Sequence, residues 1–356
     1  MRTKGVGGVG SDNAVSPGRA SSIAWSGRAG VVGTAKAGNG MKQLSVVLAL
    51  AGVAAAAVLV VWFDAGAVLQ AIAGVGVGGV ALLLAWGVLT MAVLAAAWAW
   101  ALPGLSYGVL LRGRAVRDAA TTCLPFSPVG GYVLGARALT IQGVRWPLAA
   151  AGTVIDVGAE IFAQLLFALF GLAVLLWRLP DAALARPIGL GIATVVMGAA
   201  VVVALRRPIG RGLRSVGARL LGAWFGAADG FAAMPDELAR LSTHRVRLSV
   251  AVAIHLSGWF ITGVGTWISL RLLGWHGNIV PILALEALLD AVIAAAFIVP
   301  GAAGVQEAGY VALGTIFGVG PELALSVSLL RRGRDLLIGA PVLALWHWAE
   351  LRRLRA

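Results

Sequence analysis

The sequence predicts an all-α polytopic membrane protein, and three observations carry that prediction. Hydrophobic residues make up 60% of the chain and charged residues only 12%, against roughly a quarter charged in an ordinary soluble domain. At least six apolar segments approach the ~20 residues needed to cross a hydrocarbon core about 30 Å thick. The basic residues behind a net charge of +13 fall mostly between those segments, where cytoplasmic loops carry excess Lys and Arg. That placement argues against nucleic acid as the partner of the positive charge. The single cysteine, Cys123, has no second cysteine to bridge to, and no Cys/His group has metal-ligand spacing, so neither a metal nor a cofactor is expected.

Residues 1–40 are rich in Gly, Ser and Ala, carry scattered basic residues and show no apolar periodicity, the composition of a disordered tail. Met41 and Lys42 stand directly before the first apolar run, so translation from Met41 would also give a well-formed membrane protein. That first run, 44–63, is long enough and sufficiently followed by further spans to be an uncleaved anchor. The second span covers 77–102. Arg112, Arg114 and Arg117 against Asp118 then make a loop of net +2, which predicts a cytoplasmic loop and places the N-terminus inside as well. Residues 121–142 are interrupted by Pro125, Pro128, Gly130, Gly131, Gly135 and Arg137, a pattern that fits a re-entrant element shielded by protein.

A third span, 147–176, carries Asp156 and Glu160 one turn apart on one helix face. The fourth is 188–205. The loop 206–247 holds eight Arg against three acids, with apolar Leu220, Leu221, Trp224, Phe225 and Phe231 between them, as expected of surface-lying helices on the cytoplasmic side. The fifth and sixth spans are 248–273 and 279–299. Pro300, Gly301 and Gly304 then break the chain just before polar Gln306 and Glu307, and a short apolar piece runs to Gly320. From Pro321 the pattern predicts a helix interrupted by Arg331, Arg332, Arg334 and Asp335 that resumes through Trp348, with a basic tail at 351–356. Residues 305–320 could cross or turn back; the terminal charge favours the inside and therefore a crossing made of paired half-helices. The total is about seven to eight transmembrane helices with one or two re-entrant or broken helices, in a membrane domain spanning 41–350. The matching breaks at 125–135 and 300–309 suggest an internal repeat with its site at the repeat interface.

An ionisable group inside a membrane segment costs several kcal/mol unless paired or hydrated, which singles out a short set of residues. Glu307 reads as a headgroup contact or proton acceptor, or as the ion-pair partner of Arg137 or of Arg331, Arg332 or Arg334. The arginine block and Arg137 offer guanidinium forks matched to phosphate oxygens, or a charge cluster that sets topology. Asp156, Glu160 and Asp335 are candidates for proton coupling or for ion pairing, with Arg137 or Arg145 the expected partners of the first two. Pro125, Gly130, Gly131, Pro300, Gly301 and Gly304 shape helix breaks, since neither stretch has the spacing of a nucleotide-binding loop. His255 and His347 lack companion ligands and read as packed or interfacial. Cys123 has no histidine near it in sequence and no nucleophile-elbow motif is present, so an enzyme is not expected.

The string from Val299 through Pro300, Gly301, Ala302, Ala303, Gly304, Val305, Gln306, Glu307, Ala308 and Gly309 to Tyr310 resembles the flippase-like membrane domain family. So do Gly318 to Glu322, the Arg331–Asp335 block and Trp346 to Glu350. That family is shared with the transmembrane half of lysylphosphatidylglycerol synthases. Leu124 to Gly131 and Gly135 to Thr140, with Asp156 and Glu160, are most similar to the branch associated with hopanoid biosynthesis, the membrane protein L family. Ala303 departs from the larger apolar residue usual in the break. The resemblance covers about residues 42–350 and implies a multi-pass protein of the cell inner membrane that moves or handles lipids. It does not imply aminoacyl transfer, which belongs to a separate soluble domain in the synthases.

The expected function is therefore lipid translocation in a hopanoid-related context. Arg137 and the Arg331–Arg334 block would receive the polar headgroup of an anionic phospholipid, a polyprenyl phosphate or a hopanoid, and Glu307 and Asp156 would pair with them or exchange a proton. Two alternatives remain open at this stage. One is a scaffold that recruits lipid-biosynthetic enzymes through the basic loop; the other is a membrane-embedded lipid-modifying enzyme.

Overall fold

The computed structural model describes residues 73–124, 127–178, 228–296 and 304–355, together with Gln70 and Ala302. The chain divides into units 1–46 and 47–356, and all described residues lie in the second. The expected spans 44–63 and 188–205, the tail 1–40, most of the basic loop, and Pro125, Pro300 and Gly301 lie outside the described residues.

Among the described residues every regular element is a helix. In chain order these are α1 (Gly76–Ala101), α2 (Tyr107–Cys123), α3 (Ser127–Ile141), α4 (Trp146–Arg178), α5 (Ala228–Ser242), α6 (Arg245–Leu272), α7 (Ile279–Ala295), α8 (Val305–Phe317) and α9 (Pro321–Arg355). Three of them, α1, α4 and α6, are long and apolar enough to cross a membrane, at the places where the hydropathy pattern predicts the second, third and fifth spans. Leu82 and Leu89 on α1 and Phe162, Leu166 and Leu169 on α4 are exposed. Such apolar faces would drive association in water but need no cover in lipid. The chain is a membrane protein.

The shorter helices form two hairpins. α2 has 17 residues and α3 15; α7 has 17 and α8 13. At about 1.5 Å per residue each limb reaches only ~20–25 Å, short of the ~30 Å core. In the first hairpin, Gln142 Nε2, just past α3, donates to Val109 O in the first turn of α2 at 3.3 Å, so the two limbs are antiparallel with their open ends together. Glycine makes that approach possible: a Cβ on Gly131 would stand 2.9 Å from Arg117 O, and one on Gly135 2.8 Å from Arg117 Cβ. In the second hairpin, Trp275 Nε1, just before α7, donates to Gly318 O, just after α8, at 3.3 Å.

Four expectations are corrected here. The sixth span expected at 279–299 is the 17-residue hairpin limb α7, which by itself is too short to cross. Pro128, Gly130, Gly131 and Gly135, expected to interrupt 121–142, lie inside continuous α3, where Gly131 and Gly135 let α2 approach. The Arg112–Asp118 stretch is the middle of α2, with Arg114 and Arg117 buried, because carboxylates on another helix supply what water would supply in a loop. The segment expected to cross at 305–320 instead doubles back along α7 as α8, and Gly318, in the left-handed conformation (φ +84°), ends it and turns the chain into α9. α9 itself runs uninterrupted through Arg331–Asp335 for 35 residues, since those charges are paired within the protein.

The hairpins pack against the long helices. Gly171 of α4 stands against Ala284 and Ala287 of α7, and Gly339 of α9 against Ala119 and Cys123 of α2. α1 and α6 lie antiparallel, with Gly79 on Leu272, Leu94 on Gly258, and Trp86 Nε1 donating to Ile261 O at 2.8 Å. Amphipathic α5 buries Met234 and Leu241 against the Trp146 end of α4. There Glu237 accepts from Arg240 and from Arg145 at 2.7 Å, and the bond from Arg240 holds its carboxyl below the usual carboxylate range.

Candidate functional site

Helix geometry stacks residues three and four apart on one face, and that spacing brings two charged clusters into the interior. On α2, Arg114 and Arg117 lie one turn apart and face Asp156 and Glu160 of α4. Arg117 Nη1 donates to Asp156 Oδ2 at 2.5 Å and its Nη2 to Glu160. Arg114 Nη2 donates to Glu160 Oε1 at 2.9 Å and its Nε to Asp118 at 2.8 Å. From α6, His255 Nε2 lies 2.9 Å from Asp156 Oδ1. A carboxylate only accepts, so Nε2 carries the proton in that contact. Asp156 and His255 are wholly buried, and the ring of Tyr132 stands 4.5 Å from the Arg117 guanidinium. Desolvated charges are tolerated in this way because every guanidinium meets carboxylates at close range.

The second cluster joins α7, α8, α9 and α6. Arg331 Nη1 donates to Glu286 Oε2 at 2.6 Å, and Nη2 to Asp290 Oδ1 at 3.2 Å. Glu286 also accepts from Thr266 Oγ1 at 2.8 Å and from the Tyr310 hydroxyl, and Arg331 lies 3.1 Å from that hydroxyl.

Between the clusters is a cleft of about 230 Å³. Three guanidiniums and three carboxylates reach its wall: Arg114, Asp118 and Glu160 from the first side, Arg331, Arg334 and Asp335 from the second. Thr90, Met91 and Leu94 of α1 and Gly258, Trp259 and Thr262 of α6 complete the lining between them. The cleft thus offers alternating positive and negative groups on walls that are otherwise apolar. This suits a polar headgroup carried on an apolar tail.

The residues that the sequence singles out divide into three groups. Glu160, Arg331, Arg334 and Asp335 line the cleft, and Asp156 lies one turn deeper. Gln306, Glu307 and Arg332 are brought together instead between α8 and α9: Arg332 Nη2 donates to Glu307 Oε1 at 2.8 Å, and Gln306 Nε2 to Ser328 Oγ at 3.0 Å. The other oxygen of Glu307 accepts the Gly304 N–H at 2.9 Å, closing the N-terminus of α8, and Gly304 takes φ +75° there. Arg137 does not line the cleft and pairs with Glu350 at 2.7 Å. The expected partners of Asp156 and Glu160 were Arg137 and Arg145; their partners are Arg114 and Arg117, since α2, not α3, presents its basic face to α4.

Arg114, Arg117, Asp118, His255, Glu286, Asp290 and Tyr310 complete the clusters without having been singled out by sequence. One signal was available: Glu286 and Asp290 sit at i,i+4 inside an apolar segment, as Asp156 and Glu160 do.

Helical hairpins set among long apolar helices, around a charge-lined cleft at the centre, define a polytopic membrane protein with an interior polar site. Residues 47–342 match the family model described as the lysylphosphatidylglycerol synthase TM region, and the chain belongs to that family. No curated protein and no solved structure matches it.

Proposed function

We propose that the protein moves or handles membrane lipids, with the headgroup received in the cleft between the two clusters. The observation that carries this reading is the cleft itself: three guanidiniums and three carboxylates on apolar walls, in a chain whose outer helices face lipid. Arg114, Arg331 and Arg334 are the groups able to meet a phosphate, and each already has a carboxylate partner. A headgroup would therefore enter by exchanging partners, which keeps its binding reversible. Asp156, Glu160 and Asp335 would pair with the arginines in the empty cleft. The family model supports a lipid as substrate; the resemblance to the hopanoid-associated branch favours a hopanoid-related context in the inner membrane, with an anionic phospholipid, a polyprenyl phosphate or a hopanoid as the candidate lipids. Translocation without chemical change of the lipid, and so no enzyme activity, is part of the reading.

Taking the limbs of both hairpins as re-entrant leaves fewer crossings than the seven to eight expected, and the reading keeps the internal repeat. Helix order supports the repeat: α1–α4 have 26, 17, 15 and 33 residues, and α6–α9 have 28, 17, 13 and 35. Packing supports it too, because α2 lies on α9 as α7 lies on α4, and α1 meets its counterpart α6 antiparallel. An antiparallel relation between counterparts is that of inverted repeats, whose sites lie at the repeat interface. The two hairpins then act as re-entrant elements on opposite sides of the cleft.

The test is leaflet accessibility of labelled phosphatidylglycerol, polyprenyl phosphate and hopanoid in proteoliposomes. Thr90→Trp fills the cleft without removing an ion pair. Accelerated movement of one lipid, lost in Thr90→Trp at unchanged melting temperature, is the expected result. No acceleration of any of the three by folded protein, with or without a pH gradient, would overturn the reading.

A further inference from the structure

The two clusters carry charged side chains at the same places in their helices. Arg114 and Asp118 are the eighth and twelfth residues of 17-residue α2; Glu286 and Asp290 are the eighth and twelfth of 17-residue α7. Asp156 and Glu160 are the eleventh and fifteenth of α4; Arg331 and Asp335 are the eleventh and fifteenth of α9. The Arg114–Asp156 contact of 3.6 Å thus has its counterpart in Glu286–Arg331 at 2.6 Å, with the charges exchanged. Asp118 and Asp290 are counterparts of the same sign, yet their surroundings differ. Asp118 is one-third exposed on the cleft wall and held by Arg114. Asp290 is 5% exposed and does not reach the cleft.

The surroundings of Asp290 leave it short of a cation. On its own helix it meets Glu286, and on α9 it meets Arg331, so two carboxylates share one guanidinium. Arg334 is taken by Asp335, a further carboxylate on that face. Thr266 of α6 and Tyr310 of α8 both donate to Glu286 rather than to Asp290. Gln164 of α4 donates to the main-chain oxygen of Asp290 at 3.1 Å, not to its carboxylate. Oδ2 of Asp290 is buried and has no hydrogen-bond partner among the described residues. A buried carboxylate in excess over its cations is costly, and neutralisation by a proton removes that cost.

Resting on the lipid-translocation reading and its inverted repeat, we infer that Asp290 is a proton-binding site, occupied in this state and emptied when α7 shifts so that Asp290 lines the cleft as its counterpart Asp118 does here. Opening places Asp290 where Asp118 now stands, in contact with water, and the carboxylate gives up one proton to that water. Closing removes the water and the carboxylate takes one proton back. Exchange of conformation between inverted repeats is the general route of alternating access, so one proton is carried per cycle and lipid movement responds to a pH gradient. Asp118, on the cleft wall beside Arg114, shows the surroundings that Asp290 would then take.

Infrared difference spectroscopy of the full chain in nanodiscs at neutral pH tests occupancy. The wild type is expected to show the C=O band of a protonated carboxylic acid that Asp290→Asn lacks and Asp118→Asn keeps. Absence of a band that depends on Asp290 would overturn the inference whatever the transport result. Labelled phosphatidylglycerol, polyprenyl phosphate and hopanoid in proteoliposomes test coupling, read as the ratio of rates with and without an imposed pH gradient. For the lipid that moves, a severalfold ratio in the wild type that falls to about one in Asp290→Asn is expected. An equal ratio in both proteins would overturn coupling. If the wild type moves none of these lipids, the translocation reading falls, while the infrared band still decides whether Asp290 holds a proton.

Discussion

The α2–α4 cluster and the α7–α9 cluster solve one problem, charge inside a membrane protein, in opposite ways. In the first, two arginines on one helix face two acids on the next, so each carboxylate has more than one donor. In the second, two acids share Arg331, and hydroxyl donors from Thr266 and Tyr310 supply the rest. The first cluster is therefore redundant, whereas the second depends on a single guanidinium. Redundancy lets the cluster tolerate a partner being drawn toward a ligand; dependence on one group makes a cluster responsive to one proton or one displaced pair.

The largest expected effect follows from that asymmetry. Arg331→Met strands Glu286 and Asp290 and should cost about 3–5 kcal/mol, while Arg117→Met, with Arg114 still facing Glu160, should cost clearly less. Thermal melting of both variants in the same detergent checks this, and equal losses would break the comparison. Glu286 is the charge left unpaired by the first variant, since Asp290 holds a proton in this state. Next, Tyr310→Phe removes a hydroxyl donor to the same buried Glu286 and should cost about 1.5–3 kcal/mol, measured the same way.

The hairpins offer a sharper contrast at smaller scale. Gly131→Ala forces a Cβ against the Arg117 carbonyl and Thr121 and should cost about 1–3 kcal/mol. Neighbouring Gly130 faces open space, so Gly130→Ala should be neutral or stabilise by up to ~1 kcal/mol. Gly309→Ala meets only the end of the Leu289 side chain and should fall between the two. If melting temperatures do not rank in that order, the first hairpin is not packed as closely as the structure has it.

The smallest effect lies at the surface, where Glu237 ties α5 to Arg145 and Arg240. Its carboxyl is held below the usual range by the Arg240 hydrogen bond and the two arginine charges, so its contribution is present above the ordinary carboxylate pKa and lost as pH falls through the folded value. The melting difference between wild type and Glu237→Gln should be no more than ~0.5 kcal/mol at neutral pH and shrink toward zero as pH is lowered from 6 to 3.

Much of this architecture was legible in the sequence. The spans now seen as α1, α4 and α6 follow from apolar run length, and the break before α8, where Gly304 takes a positive φ, follows from clustered Pro and Gly; Pro128, Gly130, Gly131 and Gly135, read the same way, lie inside continuous α3. Run length and clustering are properties of a few neighbouring residues. The acids Asp156 and Glu160 were visible as an i,i+4 pair in an apolar segment. Arg114 and Arg117 were misplaced because a basic stretch between spans reads as a cytoplasmic loop until a helix is found to carry it inward. Glu307 was legible as an ion-paired group, but not that its partner is Arg332 or that its second oxygen caps α8.

By itself, then, the sequence determined the solvent of this protein and its long spans, because hydrophobicity acts through a few neighbouring residues. Only the tertiary structure decided which charges meet. His255 and Asp156 are 99 residues apart in the chain and Arg331 and Glu286 are 45 apart, and the strength of each contact depends on burial that exists only once α2, α4, α6, α7 and α9 have packed together.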